Sequence, residues 1–268
     1  MPKLIITDAN ADEQIHLRLE RIRGHTLYGS DGCLQRIIPY GCIPDVKLTE
    51  HLFPLIPRSE WKKLIEEDAG PWLHDLTKDV LPPHDQGATN YCWAHGSVRA
   101  IEALRVYQGQ DPEILSAESV AVPVTGGRNR GGSGDEALTR LLSHGACHQS
   151  YWPNNDLNIK HAVEGWIEDA LNHVTLAWLD VASWEEQITL ALHRIPIAIG
   201  LRWWRHLVCQ LDPVILPDGE VGIGFDNSWG SDYGENGYAY LDEKHGTADF
   251  SAFAPISESF GSTMAPRS

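Results

Sequence analysis

Four segments with apolar residues at helical spacing, followed by a series of short β-type segments, dominate the pattern along the chain. The first predicted helix runs from Cys92 to about Tyr107. Ala94, Val98, Ile101 and Leu104 recur at three- and four-residue intervals, and Gly109 supplies the stop. The second opens at "SGDE", where Ser133 and Glu136 have capping-box spacing. It presents Ala137, Leu138, Leu141 and Leu142 and closes at Gly145. A third is expected over roughly Leu157–Asn172, with Ile159, Val163, Trp166 and Ala170 facing inward. The fourth starts at "SWEE" (Ser183, Glu186) and must end before Pro196. Beyond it, "VTLAWLDV", "IPIAIGL", "HLVCQLD", "EVGIGFD" and "GYAYLD" read as short strands with turn residues between them. Upstream of Cys92, "IPRSEWKKLIEEDAGPWLHDLTKDVLPPHDQG" reads as loop and short helix. In residues 1–54, "EQIHLRLERIR" suggests a short helix and "DGCLQRIIPYGCIPD" a strand and turn. Helices first and antiparallel strands afterwards predict an α+β protein with a helical lobe and a sheet lobe. A cleft between two such lobes is the expected place for a site.

Composition narrows the function classes. The chain has 268 residues and a net charge of −16. Residues 1–54 carry 6 basic and 7 acidic groups, which leaves 15 basic and 30 acidic for residues 55–268. A surface of that sign repels phosphate backbones and argues against nucleic acid as a partner. No apolar run approaches the ~18 residues of a membrane span, and "MPKLIITDANADEQ" lacks the basic and apolar regions of a secretory signal. The five cysteines (33, 42, 92, 147, 209) are scattered with no CxxC pair, so neither a zinc knuckle nor a thioredoxin-like motif is supported. A reduced, cytoplasmic setting is the expectation.

Cys92 is the residue whose position suggests chemistry. At the first turn of a helix a cysteine lies in the positive end of the helix dipole, which favours thiolate over thiol. Position alone leaves it open whether Cys92 is a buried hydrophobe, a ligand or a nucleophile. A nucleophile requires a base, a group that orients the base, and an oxyanion donor.

Longer motifs bear on that choice. "DQGATNYCWAHGSVRAIEAL" resembles the active-site segment of the papain family of cysteine peptidases, QGxCGSCWAF followed by a helix. "DNSWGSDYGENGYAYL" resembles that family's NSWGxxWGENGY segment. "LSAESV", "NRGGSGDEALTRLLSHGA", "IPIAIGLRWWRHLVCQLD" and "HGTADFSAFAPIS" are similar to its remaining motifs, in the family's order, from about Pro57 to Ile256. The resemblance implies a papain-like two-lobe fold, with a helical lobe, an antiparallel β-barrel-like lobe and a cleft between them. Residues 55–268 would be the catalytic domain, preceded by an extension over residues 1–54.

Carried over residue by residue, the resemblance makes Cys92 the nucleophile, His206 the general base and then acid, and Asn227 the group orienting its imidazole. Gln86, six residues before the cysteine, would share the oxyanion hole with the Cys92 backbone N–H. Trp229 would shield the His206–Asn227 hydrogen bond, and Gly131 and Gly132 would let an extended peptide pair with bare backbone. These roles imply hydrolysis of peptide bonds through an acyl-thioester, with a protein or peptide as substrate and no metal or organic cofactor. Acyl transfer to an amine, an amidase activity, and a non-catalytic peptide-binding relative are the alternatives. His161 in "KHAVEGW" superficially copies the family's HAV, but it precedes "IPIAIGL" instead of following it. Cys33, Cys42, Cys147 and Cys209 read as buried or idle thiols. Strand parity turns Cys209 to the face opposite His206.

The chain also departs from the family pattern. Thr89, the "NRGG" of residues 129–132 and His245 stand where secreted members carry half-cystines. Asn90-Tyr91 replaces Gly-Ser before the nucleophile, so a positive φ at Asn90 and a cleft narrowed by Tyr91 are expectations. Arg205 and Asp226 stand where Asp and Lys are common. Arg205 is expected to disfavour the imidazolium and to move the optimum to lower pH. The interval from Cys92 to His206 is 114 residues, shorter than the roughly 130–150 typical of the family. Residues 1–54 lack the family's pro-segment pattern and are read as a blocking segment, a docking element or part of the fold.

Overall fold

A computed structural model describes residues 27–28, 34–35 and 53–256, apart from 176 and 250. The chain divides into two compact units, Met1–Ile43 and Pro44–Ser268. Of the first unit, β1 (Leu27–Tyr28) and β2 (Leu34–Gln35) pair antiparallel. The possible helix at "EQIHLRLERIR", Cys33 and Cys42 lie outside the described residues.

In the second unit, α1 (Arg58–Glu67) and α2 (Leu73–Thr77) lead into α3 (Cys92–Tyr107), whose bounds match the predicted ones. The stop falls at Gly109, which has a φ of 73°. Helix α4 (Glu118–Thr125) was not anticipated from the hydrophobic pattern. In α5 (Gly134–Ser143), Ser133 and Glu136 form the predicted capping box and Gly145 takes a φ of 71°. The expected third helix is corrected. The segment forms a 3₁₀ turn at Ile159–His161, a left-handed Gly165 at φ 91°, and a short α6 (Trp166–Ala170). Ile159 and Val163 are exposed there instead of inward. Gly165, with no Cβ to forbid positive φ, interrupts what periodicity alone joins.

Strand β3 (Ala177–Asp180) precedes α7 (Trp184–Leu192), capped by Ser183. The remaining elements are β4 (Ile197–Leu201), β5 (His206–Ile215), β6 (Val221–Asp226), β7 (Tyr238–Leu241), α8 (Glu243–Gly246) and β8 (Ser251–Ile256). Six strands form one antiparallel sheet in the order β3-β8-β4-β5-β6-β7. Among the described strands the sheet stays open, with β3 and β7 at its edges, so the expected barrel-like closure becomes an open sheet.

Alternation along β4 and β5 splits the interior into two cores. Ala198, Leu207, Cys209 and Leu211 join α3, α4 and α5 on one side. Ile197, Ile199, Leu201 and Val208 join α1 and α7 on the other. The molecule is therefore an α+β fold with a helical half and a sheet half. Helix α3 is buried on nearly all sides, from Trp93 through Leu104. A helix buried all round is a central one, and here its buried residues include His95, Arg99 and Glu102 as well as the apolar stripe. Among the described residues no helix is long and apolar enough to cross a membrane.

Candidate active site

Cys92 is the first residue of α3, after Tyr91 at the N-cap. The first backbone N–H groups of a helix have no partner within it, so the thiol and its own N–H share a donor-rich helix end. Burial pushes the Cys92 thiol up, while the backbone N–H groups of Leu207, Trp93 and Cys92 itself pull the other way. The Leu207 contribution brings the start of β5 beside the nucleophile helix. Gly96 permits this closeness: a Cβ there would stand 2.5 Å from Leu207 Cδ2 and 3.1 Å from the Val208 carbonyl carbon.

His206 opens β5 and is buried, at 7% exposure. Its Nε2 is 2.7 Å from Asn227 Oδ1, which also accepts the Ser228 N–H at 2.8 Å. Nε2 therefore carries a hydrogen, leaving Nδ1 as the nitrogen for chemistry. Burial lowers the His206 imidazole and the Asn227 hydrogen bond partly restores it. The Trp229 ring lies 4.8 Å from the imidazole, centre to centre, and Trp204 covers it at 4.9 Å. Trp204, in "RWWRH", is not singled out by the sequence; it lies in the turn that leads into β5, and its place two residues before the histidine is the available signal.

Gln86 is buried, and its loop is stitched to the Asn227 loop. Its N–H donates to Ser228 O at 2.8 Å, its Oε1 accepts the Ser228 hydroxyl at 2.7 Å, and its Nε2 donates to Thr89 O at 2.6 Å. Three of the four catalytic-type residues, Gln86, His206 and Asn227, are thus joined directly or through Ser228. Cys92 adjoins them through the α3–β5 contact. His161 stands apart, exposed and bonded to Asp156 and Asn158. Cys147 and Cys209 are free and buried, with burial raising the Cys147 thiol to about 11 and pushing the Cys209 thiol well above the ordinary thiol range. Cys209 packs with the helical core while His206 packs with Trp204 and Trp229, as strand parity predicts.

Several expectations next to the nucleophile are corrected. Tyr91 does not narrow a cleft. Its ring is fully buried beside Trp93, and its hydroxyl pairs with Thr125 Oγ1 and Arg128 O, both at 3.0 Å. Asn90 does not take a positive φ; the left-handed residue of this loop is Gly87, at 51°. Asn129 ties the loop down instead, accepting the Asn90 N–H at 2.7 Å and donating to Ala88 O at 3.0 Å. The two glycines also differ. A Cβ at Gly131 meets open space, whereas at Gly132 it would run into the Trp93 indole at 2.4 Å. Arg205 is exposed at a φ of 51°, and burial is the cause that lowers His206.

No family model matches the chain, and no protein of curated function does. Solved structures do match. The chain is similar to xylellain, a cysteine protease from Xylella fastidiosa, at 19% identity and a TM-score of 0.58, over 82% of this chain and 96% of that one. It is similar to digestive procathepsin L 3 from the larval midgut of Tenebrio molitor, at 15% identity, TM-score 0.57 and 95% of both chains. Bromelain from Ananas comosus, solved with the E64 inhibitor, gives 17% identity and a TM-score of 0.55 over 70% of this chain and 98% of that one. At these identities the likeness establishes the fold: this chain has the papain-like fold of those cysteine proteases.

Proposed function

We propose that the protein is a cysteine peptidase that hydrolyses peptide bonds through Cys92, His206 and Asn227. The observation that carries this reading is the buried 2.7 Å contact between His206 Nε2 and Asn227 Oδ1, beneath Trp229 and beside the helix end that bears Cys92. Burial alone favours a neutral thiol and a neutral imidazole. Three effects oppose it: the helix dipole, the Leu207 and Trp93 N–H groups, and the attraction between thiolate and imidazolium. For charges about 4 Å apart at an effective dielectric of about 20, that attraction is about 4 kcal/mol.

In this mechanism the thiolate attacks the scissile carbonyl carbon. The resulting oxyanion accepts from the Cys92 N–H and the Gln86 amide. His206 gives its Nδ1 proton to the departing amine as the C–N bond breaks, leaving an acyl-thioester on Cys92. Water then attacks the thioester, its proton passes to His206 Nδ1, and the C–S bond breaks to release the acid. Asn227 holds the ring through Nε2 without adding a charge. Gly131, open where a Cβ would stand, supports pairing with an extended peptide.

The test is labelling with an epoxysuccinyl thiol electrophile, mapped by mass spectrometry, with and without His206→Ala. An adduct on Cys92 that His206→Ala abolishes is the expected result, with Cys147 and Cys209 unlabelled. Equal labelling of Cys92 in both proteins would remove His206 from the mechanism, and no labelling would leave a peptide-binding relative. Product analysis with an added amine separates hydrolysis from acyl transfer.

A further inference from the structure

One face of α3 carries Cys92, Gly96 and Arg99 at positions i, i+4 and i+7. The guanidinium of Arg99 is buried and reaches across to the end of β6. Its Nε donates to Asp226 Oδ2 at 2.6 Å, and Asp226 immediately precedes Asn227. Arg99 Nη1 donates to Glu102 Oε2 at 3.3 Å, and its remaining donors approach Pro82 O and Leu81 O at 3.4 Å. Glu102 is fully buried and in turn accepts from His84 Nε2, at 2.9 and 3.1 Å to its two oxygens, and from the Leu115 N–H at 2.7 Å.

His84 closes a circuit. Its carbonyl accepts the Gly230 N–H at 2.9 Å, and two residues on, the Gln86 N–H donates to Ser228 O. The path Asp226–Arg99–Glu102–His84 therefore returns through backbone to Ser228 and Asn227. Gly96, Leu207 and His95, together with Asp226, Arg99 and His84 of this path, line a small cavity with Asn227 and Ser228, of about 10 Å³, room for one water. His95 Nδ1 sits 3.0 Å from His84 Nδ1 at the rim of this circuit.

We infer that Arg99 is a positioning residue: held between Asp226 and Glu102, it locks the nucleophile helix to the two loops that present Asn227 and Gln86. This inference rests on the proposed Cys92–His206–Asn227 chemistry. The geometry fits the role because Nε of a planar guanidinium donates in one direction only, so a rotation or slide of α3 against β6 breaks the 2.6 Å contact. The same movement would carry Cys92, two turns away on that face, off the imidazole held by Asn227. Because both partners are buried, the contact is little screened by solvent.

The experiment measures the second-order rate of Cys92 alkylation by iodoacetamide from pH 5 to 9, with kcat and KM on a peptide substrate. In the wild type a thiolate–imidazolium pair gives a reactive arm well below the free-thiol value of about 8.5. Arg99→Met is expected to lose that arm and to lower kcat on the order of 10- to 100-fold, with KM changed less than about threefold, because misplacement by an ångström costs about that much. Arg99→Lys, which keeps the charge but not the fixed direction, restores part of the low-pH arm. Should Arg99→Met fail to fold, the neutral pair Arg99→Gln with Asp226→Asn serves, with the same expected losses in smaller degree. A folded variant of either kind with the wild-type pH profile and kcat overturns the inference and leaves the ion pair to stability alone. A wild type without the low-pH arm would instead overturn the proposed chemistry, and this inference with it.

Discussion

Gly96→Ala tests whether the approach of α3 to β5 sets the reactivity of Cys92. In the middle of a helix, glycine costs about 1 kcal/mol relative to alanine, so propensity alone predicts that the substitution stabilises the protein. The structure predicts the reverse. The new Cβ would stand 2.5 Å from Leu207 Cδ2, 3.1 Å from the Val208 carbonyl carbon and 3.2 Å from Leu207 O. The leucine methyl can swing aside, but the two β5 backbone atoms cannot. Restoring an ordinary carbon contact of about 3.5–4.0 Å requires the helix and strand to part by roughly half an ångström. Overpacking of this kind costs about 1–3 kcal/mol, which the propensity gain reduces to a net loss of roughly 0–2 kcal/mol. The fold survives that loss, because domains of this kind hold about 5–15 kcal/mol. Reactivity suffers more. Cys92 rides on α3 while His206 begins β5, so the same half-ångström opens the gap between them. If one ångström costs on the order of 10²-fold, the expected loss is about tenfold. The assays are thermal denaturation, with an expected fall of no more than about 8 °C, and the rate of Cys92 alkylation by iodoacetamide at pH 6. A folded Gly96→Ala protein that alkylates at the wild-type rate would refute the reasoning, since Leu207 alone would then have absorbed the methyl.

Three further outcomes follow from other parts of the molecule. Asp212 is buried, accepts from the Leu73 and His74 N–H groups and the Tyr238 hydroxyl, and is raised by burial from 3.8 to about 7. Its folded form holds the proton more tightly, so its stabilising contribution is complete below about pH 3.8 and is lost as pH rises through about 7. Asp212→Asn should therefore gain on the wild type between pH 4 and 8, by at most about 4 kcal/mol at 1.36 kcal/mol per unit; an unchanged slope of Tm against pH would count against it. Tyr91→Phe should cost about 1 kcal/mol in a denaturant melt through loss of the Thr125 and Arg128 contacts. It should leave the Cys92 alkylation rate alone, whereas faster alkylation would return Tyr91 to the cleft. Gly132→Ala should destabilise by about 1–3 kcal/mol against the Trp93 ring, while Gly131→Ala should fall within about 0.5 kcal/mol of wild type. Equal melting temperatures for the two variants would contradict the packing described for Trp93.

Features that depend on neighbours within a few residues are legible along the chain. The Ser133–Glu136 capping box, the stops at Gly109 and Gly145, the Ser183 cap and the start of α3 at Cys92 were all legible, because each is satisfied by backbone groups three or four positions away. Local signals also misled where a residue was read by size or period alone. Tyr91 looked obstructive but turns into the helical core, and the apolar spacing over 157–172 is broken by left-handed Gly165. Tertiary structure alone decided the contacts between distant segments: Arg99 on Asp226 across 127 positions, Gln86 on Ser228 across 142, and Gly96 against Leu207. The polar residues at 95, 99 and 102 had helical spacing in the sequence, yet that spacing fits a solvated face as well as a buried one. Only the docking of β5 and β6 onto that face makes it interior, and a buried charge must then find an opposite charge or a hydrogen-bond partner.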